Sequence, residues 1–487
     1  MITRPLLVLS CAMLLFVAGC EGTNQNQANS TATASPSASP SGSTTQAAGP
    51  AVAVSQPVTL PVLDAFFAEQ SFSDVLRSRL QLTDEQITQL KDLAHQETSK
   101  LNEASAGQTE GETAAARTTA QEKVSALIGA AKAEQLATLV RERWNNGAAP
   151  SGTPAEKSTA PSTNPLTAEE FAALAPNTVP TDSRVVVNAP AFRMDVFESG
   201  RLIKSYKVGI GYPQFPLPTA LRKATSIIFN PTWTPPDEPW VAKMKGVAVG
   251  QKVDAGSALN PLGPIKIPIG APSLIHGGKP LAKIGTFASH GCVGMTTPQV
   301  KDFSKLLAQI GGSQLTDAGL ARYGKDKTQT KSLKLSKDVP VELRYETIVV
   351  EDGKLHIYRD VYDQDTNTEE ELRSVLEKYG LKLEDLSADE QNQIYEGLSQ
   401  MAGKSTKKIE HPTTLPSPSP SPSASPANVN AKGVKPVAAK KPARKKNARE
   451  VVIEIAKLSG KGYPAPVDLD TGSGKPAKPQ AVTAAKP

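Results

Sequence analysis

Long polar tracts that cannot bury a core decide where this chain is able to fold. Residues 20–56 are mostly Ser, Thr, Ala, Pro, Gln and Gly, and residues 147–165 are rich in Pro, Ser and Thr. Residues 404–450 join a Pro-Ser repeat at 412–426 to a basic run at 432–449. Such compositions offer too little apolar surface to offset chain entropy, so they read as tether, linker and extended spacer. They also pull the hydrophobic fraction down to 39%, below the globular norm. The net charge of +6 lies largely in the basic run and carries no general nucleic-acid signal. Folding is thereby confined to residues 57–146, 166–352 and 353–403. A low-complexity tail at 451–487 holds one possible strand at 451–455.

The N-terminus has a different constraint. Arg4 precedes an apolar run from Leu6 to Val17, followed by Ala18-Gly19-Cys20. A positive start, a short apolar run and small residues before a cut are the marks of a secretory signal peptide, here residues 1–19. The run is too short for a permanent membrane span. Val17-Ala18-Gly19-Cys20 resembles a bacterial lipobox, which implies cleavage before Cys20 and lipidation of its sulfur. Acyl chains stabilise membrane attachment by roughly 0.8 kcal/mol per buried methylene. The expected location is the exported cell envelope, anchored to a membrane and facing the periplasm. Glu21 leans toward an outer membrane.

Residues 57–146 carry helix signals. Thr83 and Gln86 make a capping box, Leu82 and Ile87 a hydrophobic staple, and Ile87, Leu90 and Ala94 follow at helical spacing. A second helix is predicted to run through Val124, Leu127, Ile128, Ala131, Leu136, Leu139, Val140 and Trp144. His95 is the only histidine there, so a histidine-built metal site is not expected. From Arg184 the pattern turns to short strands broken by Gly and Pro, which predicts a β-rich mixed sandwich or barrel. One helix is predicted over 297–310. A helical pair follows with capping boxes at Thr368/Glu371 and Ser387/Glu390.

The chemistry gathers at one cysteine. The chain has three, at positions 11, 20 and 292, and the first two belong to the export signal and its processing site. Cys292 is thus the one thiol of the exported body, in Ser289-His290-Gly291-Cys292. A thiolate attacks carbonyls, and an imidazole can take and return its proton. His276, in Ile275-His276-Gly277, has an apolar lead-in that places it at a strand end. Gly291 permits unusual dihedrals, and the amides of Gly291 and Cys292 are candidates for an oxyanion site. Ser289 and His290 are read as loop support. Gly277 and Trp233 are read as substrate contacts.

These residues, with Val208-Gly209-Ile210-Gly211, Asn230-Pro231-Thr232-Trp233 and Asn260-Pro261-Leu262-Gly263, resemble the L,D-transpeptidases with the YkuD-type catalytic domain, over about residues 184–346. The resemblance implies peptidoglycan stem peptides as substrate, Cys292 as nucleophile, His276 as proton donor and acceptor, and a thioester resolved by an amine. It implies no metal and no organic cofactor. Two departures stand out. Many members have Arg two residues after the cysteine, where this chain has Gly294, and a usual Pro-Thr-Gly appears as Pro218-Thr219-Ala220. Lys279 and Arg222 are the nearby cations open to supply the missing charge. Rival readings are an L,D-carboxypeptidase, with water resolving the thioester, and a non-catalytic wall-binding lipoprotein. The basic run is either a solvated stretch or a contact for anionic envelope polymers.

Overall fold

The computed structural model describes residues 58–101, 112–146, 176–270, 272–403 and 448–473. The signal peptide, Cys20, the tether, the 147–165 linker and the Pro-Ser repeat lie outside the described residues.

Five helices come first: α1 (Leu60–Phe67), α2 (Gln70–Leu80), α3 (Asp84–Ser99), α4 (Glu112–Ile128) and α5 (Ala130–Asn146). Both arms of the Thr83/Gln86 capping box form at the start of α3. The second predicted helix is two, α4 and α5, broken at Gly129 with φ +84°. Its apolar stripe, apart from the exposed Ala131, joins that of α3 in one core, where Phe66 packs on Phe72 and edge-on to Trp144.

The region from Arg184 to Arg344 is a sheet of eight strands with helices against it. In chain order come β1 (Arg184–Asn188), β2 (Arg193–Glu198), β3 (Arg201–Lys207), β4 (Ile210–Gly211) and β5 (Ala220–Phe229). A short helix α6 (Pro239–Ala242) follows, then β6 (Ile265–Pro268), β7 (Leu274–His276), β8 (Phe287–Ser289) and β9 (Val293–Gly294). Helices α7 (Thr297–Ile310) and α8 (Asp317–Lys325) lead to β10 (Lys331–Arg344). The strand order is β3-β2-β1-β10-β5-β6-β7-β9, with β4 and β8 paired separately. Ser199 and Gly200 both take positive φ, which suits the tight hairpin between β2 and β3. Helix α7 starts where the sequence places it, closed by a Thr296/Gln299 capping box. Its Val300, Phe303 and Leu307 are fully buried against the sheet.

The extended stretches 340–345 and 346–350 belong to different sheets. β10 ends at Arg344, and β11 (Ile348–Glu351) belongs to a second sheet with β12 (Lys354–Tyr358) and β13 (Glu450–Glu454). This sheet packs on α9 (Glu369–Lys378) and α10 (Ala388–Met401), the predicted helical pair. The tail expectation also changes. After β13 the chain stays ordered to Ser473, with Leu458 and Tyr463 buried. Asp470 exchanges backbone hydrogen bonds with Ser205 and Lys207 on β3, both at 2.9 Å. The buried apolar residues in this stretch are widely spaced, which hides the packing from a compositional reading.

The helical module docks on the region of the eight-stranded sheet. Thr59 Oγ1 donates to Gln214 O (2.6 Å) and Thr113 Oγ1 to Pro213 O (2.8 Å). Lys243 Nζ donates to the carbonyls of Ser99 (2.9 Å) and Leu101 (2.7 Å), and Lys91 pairs with Asp237 at 3.7 Å. The receiving segments, 213–214 and 237–243, are those that wall the site described next.

Candidate active site

Strand register builds the site. β7 and β9 run parallel, with Ile275 opposite Val293 and His276 opposite Gly294. β6 and β7 run antiparallel, with Lys266 opposite His276. Ile265, Ile267, Ile275 and Val293 face the core and are almost completely buried. Side chains alternate along strands, so Lys266, Leu274 and His276 turn to the other face, as does Cys292 one residue before β9. Strand spacing separates the Cα atoms of His276 and Cys292 by about 8 Å on that face. Nucleophile and base candidates therefore share one face of adjacent strands, and His276 ends its strand as expected.

His276 is buried, and its Nδ1 lies 2.8 Å from Gly277 O. A carbonyl only accepts, so Nδ1 carries the proton and Nε2 is left basic. Burial pushes the imidazole pKa down to about 3, and the Lys279 charge pushes the same way against the carbonyls of Gly277 and Leu262. Cys292 is partly buried, and its thiol is pushed up by burial. Glu238 adds to that rise, while the Leu274 backbone amide, Lys279 and Lys266 oppose it. Both directions favour a neutral thiol beside a neutral imidazole at rest. Ionisation must then accompany attack.

Ser289 braces the loop. Its Oγ donates to Cys292 O (2.6 Å) and accepts from Cys292 N–H (2.9 Å). Of the two amides expected at an oxyanion site, that of Cys292 is thus already engaged. Gly291 has φ +91°, and an added Cβ would meet nothing within 4 Å, so backbone conformation and not space calls for glycine.

His290 sits in an aromatic box. Trp240 stacks on it with centroids 4.4 Å apart, and Phe215 and Tyr212 meet it edge-on at 4.8 and 5.2 Å. Burial pushes its pKa down to about 3, again aided by Lys279. Trp233 lies behind Trp240 at 5.8 Å and is buried, so Trp240 is the tryptophan that reaches the loop. Trp240 Nε1 donates to the buried Glu238, whose carboxyl is pushed up to about 8 by burial. Gly277 serves packing: a Cβ there would come 2.6 Å from Val300 Cγ1.

The two candidate cations part company. Arg222 turns away, donating to Gly270 O (2.8 Å) and to Trp144 O on the helical module. Lys279 lies over Gly294, where an added Cβ would stand 2.8 Å from its Cγ. Sequence reasoning missed Lys266 and Glu238. The signal for Lys266 was present, since a lysine between two core isoleucines on a strand must face the opposite side. Glu238 had none, because a carboxyl in a Pro-rich loop reads as solvated.

Residues 182–330 match the family model of the L,D-transpeptidase catalytic domain, YkuD. Three solved structures are similar to this chain. An Enterococcus faecium L,D-transpeptidase mutant is 14% identical, with 34% of this chain and 50% of that one covered and a TM-score of 0.20. An L,D-transpeptidase from Mycobacterium smegmatis is 12% identical, with 34% and 58% covered and a TM-score of 0.21. The catalytic domain of the E. faecium L,D-transpeptidase is 13% identical, with 34% and 100% covered and a TM-score of 0.21. The chain spans about half the length of the first of these. No curated protein matches it.

Proposed function

We propose, for a chain whose residues 182–330 are an L,D-transpeptidase catalytic domain, that it transfers acyl groups between peptidoglycan stem peptides through a thioester on Cys292. The sulfur attacks the carbonyl of the third-position diamino acid while His276 Nε2 accepts the thiol proton. The tetrahedral species collapses, the amide C–N bond breaks, and the imidazolium returns its proton to the departing D-Ala amine. An acceptor amine then attacks the thioester, giving up a proton to His276 as the C–S bond breaks, and the thiol is restored. The products are 3→3 cross-links, or a stem joined to another amine.

The observation that carries this reading is the placement of Cys292 and His276 on one face of adjacent strands, with the tautomer set by Gly277 O. Lipidation at Cys20 would tether the domain to a membrane of the envelope. The basic run at 432–449 would meet anionic envelope polymers electrostatically. The test is incubation of the protein with tetrapeptide stems. Cross-linked dimers that disappear in Cys292→Ala support transpeptidation. Tripeptide without cross-link points to a carboxypeptidase, and no turnover with retained wall binding points to a binding lipoprotein.

A further inference from the structure

The resting state raises a chemical problem. His276 is a poor base here, and burial disfavours the Cys292 thiolate. Something else must favour charge on sulfur as the proton leaves. The amide of Cys292 is not available for that, since Ser289 Oγ holds it.

Two lysines meet the need from two elements. Lys266 stands on β6 directly across from His276, on the face that Cys292 shares, between the buried Ile265 and Ile267. That alternation leaves its stem no route into the core. Lys279 follows β7, and its backbone N–H donates to Met295 O at 3.0 Å, which ties it beside β9. Its stem occupies the space over Gly294. An added Cβ there would be 2.8, 3.1 and 3.4 Å from Cγ, Cε and Cδ. Gly294 is the residue opposite His276. The absent side chain at 294 is thus what lets Lys279 lie across the site.

We propose that Lys266 on β6 and Lys279 after β7 form a cationic clamp around Cys292 that favours its thiolate during attack. The proposal deepens the acyl-transfer reading and rests on Cys292 being the nucleophile. The other charged or titratable groups facing the sulfur are His276 on β7, His290 in the catalytic loop and Glu238 in the 230–250 segment. Glu238 opposes the clamp when ionised. Both lysine charges favour the thiolate, and Lys279 also disfavours the imidazolium of His276. The clamp therefore trades base strength for nucleophile ionisation. Lys266 and Lys279 act through charge on the sulfur and are assigned no proton transfer.

The test is the pH dependence of Cys292 alkylation by iodoacetamide, which needs no stem peptide and so stands apart from the functional reading. The full chain is used, and the modified peptide containing Cys292 is followed by mass spectrometry. In Lys266→Met the inflection of rate against pH should move up by about one unit, slowing alkylation at pH 7.5 on the order of tenfold. Lys266→Arg should restore the inflection, and Lys266→Glu should push it higher still. Lys279→Met should shift it in the same direction, and the double variant further than either. Lys266→Gln serves as the neutral variant if the methionine form does not fold. A merely structural lysine would change thermal stability without moving the inflection. An inflection unchanged in both Lys266→Gln and Lys266→Glu overturns the proposal.

Discussion

Gly294→Ala should disturb this site through Lys279 alone, and a double-mutant cycle can show it. Gly294 exchanges two 2.8 Å backbone hydrogen bonds with Gly209, and its φ is not in the left-handed region. Alanine therefore meets no backbone penalty. The obstacle is the Lys279 stem, with Cγ 2.8 Å from the new Cβ. Overpacking costs typically about 1–3 kcal/mol. A flexible lysine can swing aside at the price of about 0.5–1.5 kcal/mol in an off-rotamer angle, so about 1 kcal/mol is expected. In a domain of this size that lowers Tm by about 2–4 °C. The stem removed, the cost should vanish: Gly294→Ala in a Lys279→Ala background should be nearly neutral, with a coupling of about 1 kcal/mol. The assay is thermal unfolding of the four proteins, followed by tryptophan fluorescence. Two neighbouring glycines set the scale. At Gly277 the new Cβ meets Val300 Cγ1 at 2.6 Å, and at Gly211 it meets Phe215 O at 2.0 Å. Branched side chains and backbone yield less than a lysine stem, so the cost should rise from Gly294 to Gly277 to Gly211. Equal cost of Gly294→Ala with and without Lys279 would refute the reasoning.

Further outcomes follow from burial and charge. His290 titrates near 3 when folded and near its ordinary 6.5 when unfolded, so the unfolded chain binds more protons between those values. Stability from this group is present above pH 6.5 and lost as pH falls toward 3, and His290→Gln should flatten that part of a Tm-against-pH profile. Glu238 has the opposite sign: its carboxyl is raised from 4.5 to about 8, so its contribution is complete below 4.5 and lost as pH rises through 8. Glu238→Gln should remove the part of the Tm decline that the parent shows between about pH 5 and 8. Trp240→Ala removes the stacked wall of the His290 box, a contact worth about 0.5–1.5 kcal/mol. Iodoacetamide should then reach Cys292 severalfold faster at fixed pH. The acylation rate should climb with pH with no limb near 6.5, because His276 stays neutral down to about 3; a rate that falls below pH 6.5 with a His276-dependent inflection would contradict this.

The parts of the fold that were legible share a local cause. Capping boxes at Thr83 and Ser387 depend on side chains three residues apart and formed where they were read, while at Thr368 one arm forms, its side chain accepting from Glu371 N–H. The loop glycine, Gly291, was legible because one dihedral demands it. What escaped was set by distant partners. Residues 448–473 fold against β12 and β3, and few apolar side chains announce it. The break between β10 and β11 was hidden because no Gly or Pro separates Val341 from Val350, so no turn residue marks the change of sheet. Trp233 and Trp240 are indistinguishable by composition, and the turn into α6 decides that Trp240 reaches His290. Arg222 and Lys279 looked equivalent until Trp144 and Gly270 claimed the first and Gly294 made room for the second.

The central claim is that Cys292 becomes acylated with His276 as its proton carrier. The most direct measurement is the intact mass of the protein mixed briefly with a tetrapeptide stem and quenched in acid. An adduct equal to the stem less its terminal D-Ala, located on the Cys292 peptide, slowed in His276→Ala and missing in Cys292→Ala, is the predicted result. An adduct that forms at the same rate without His276, or one that persists without Cys292, would contradict the account.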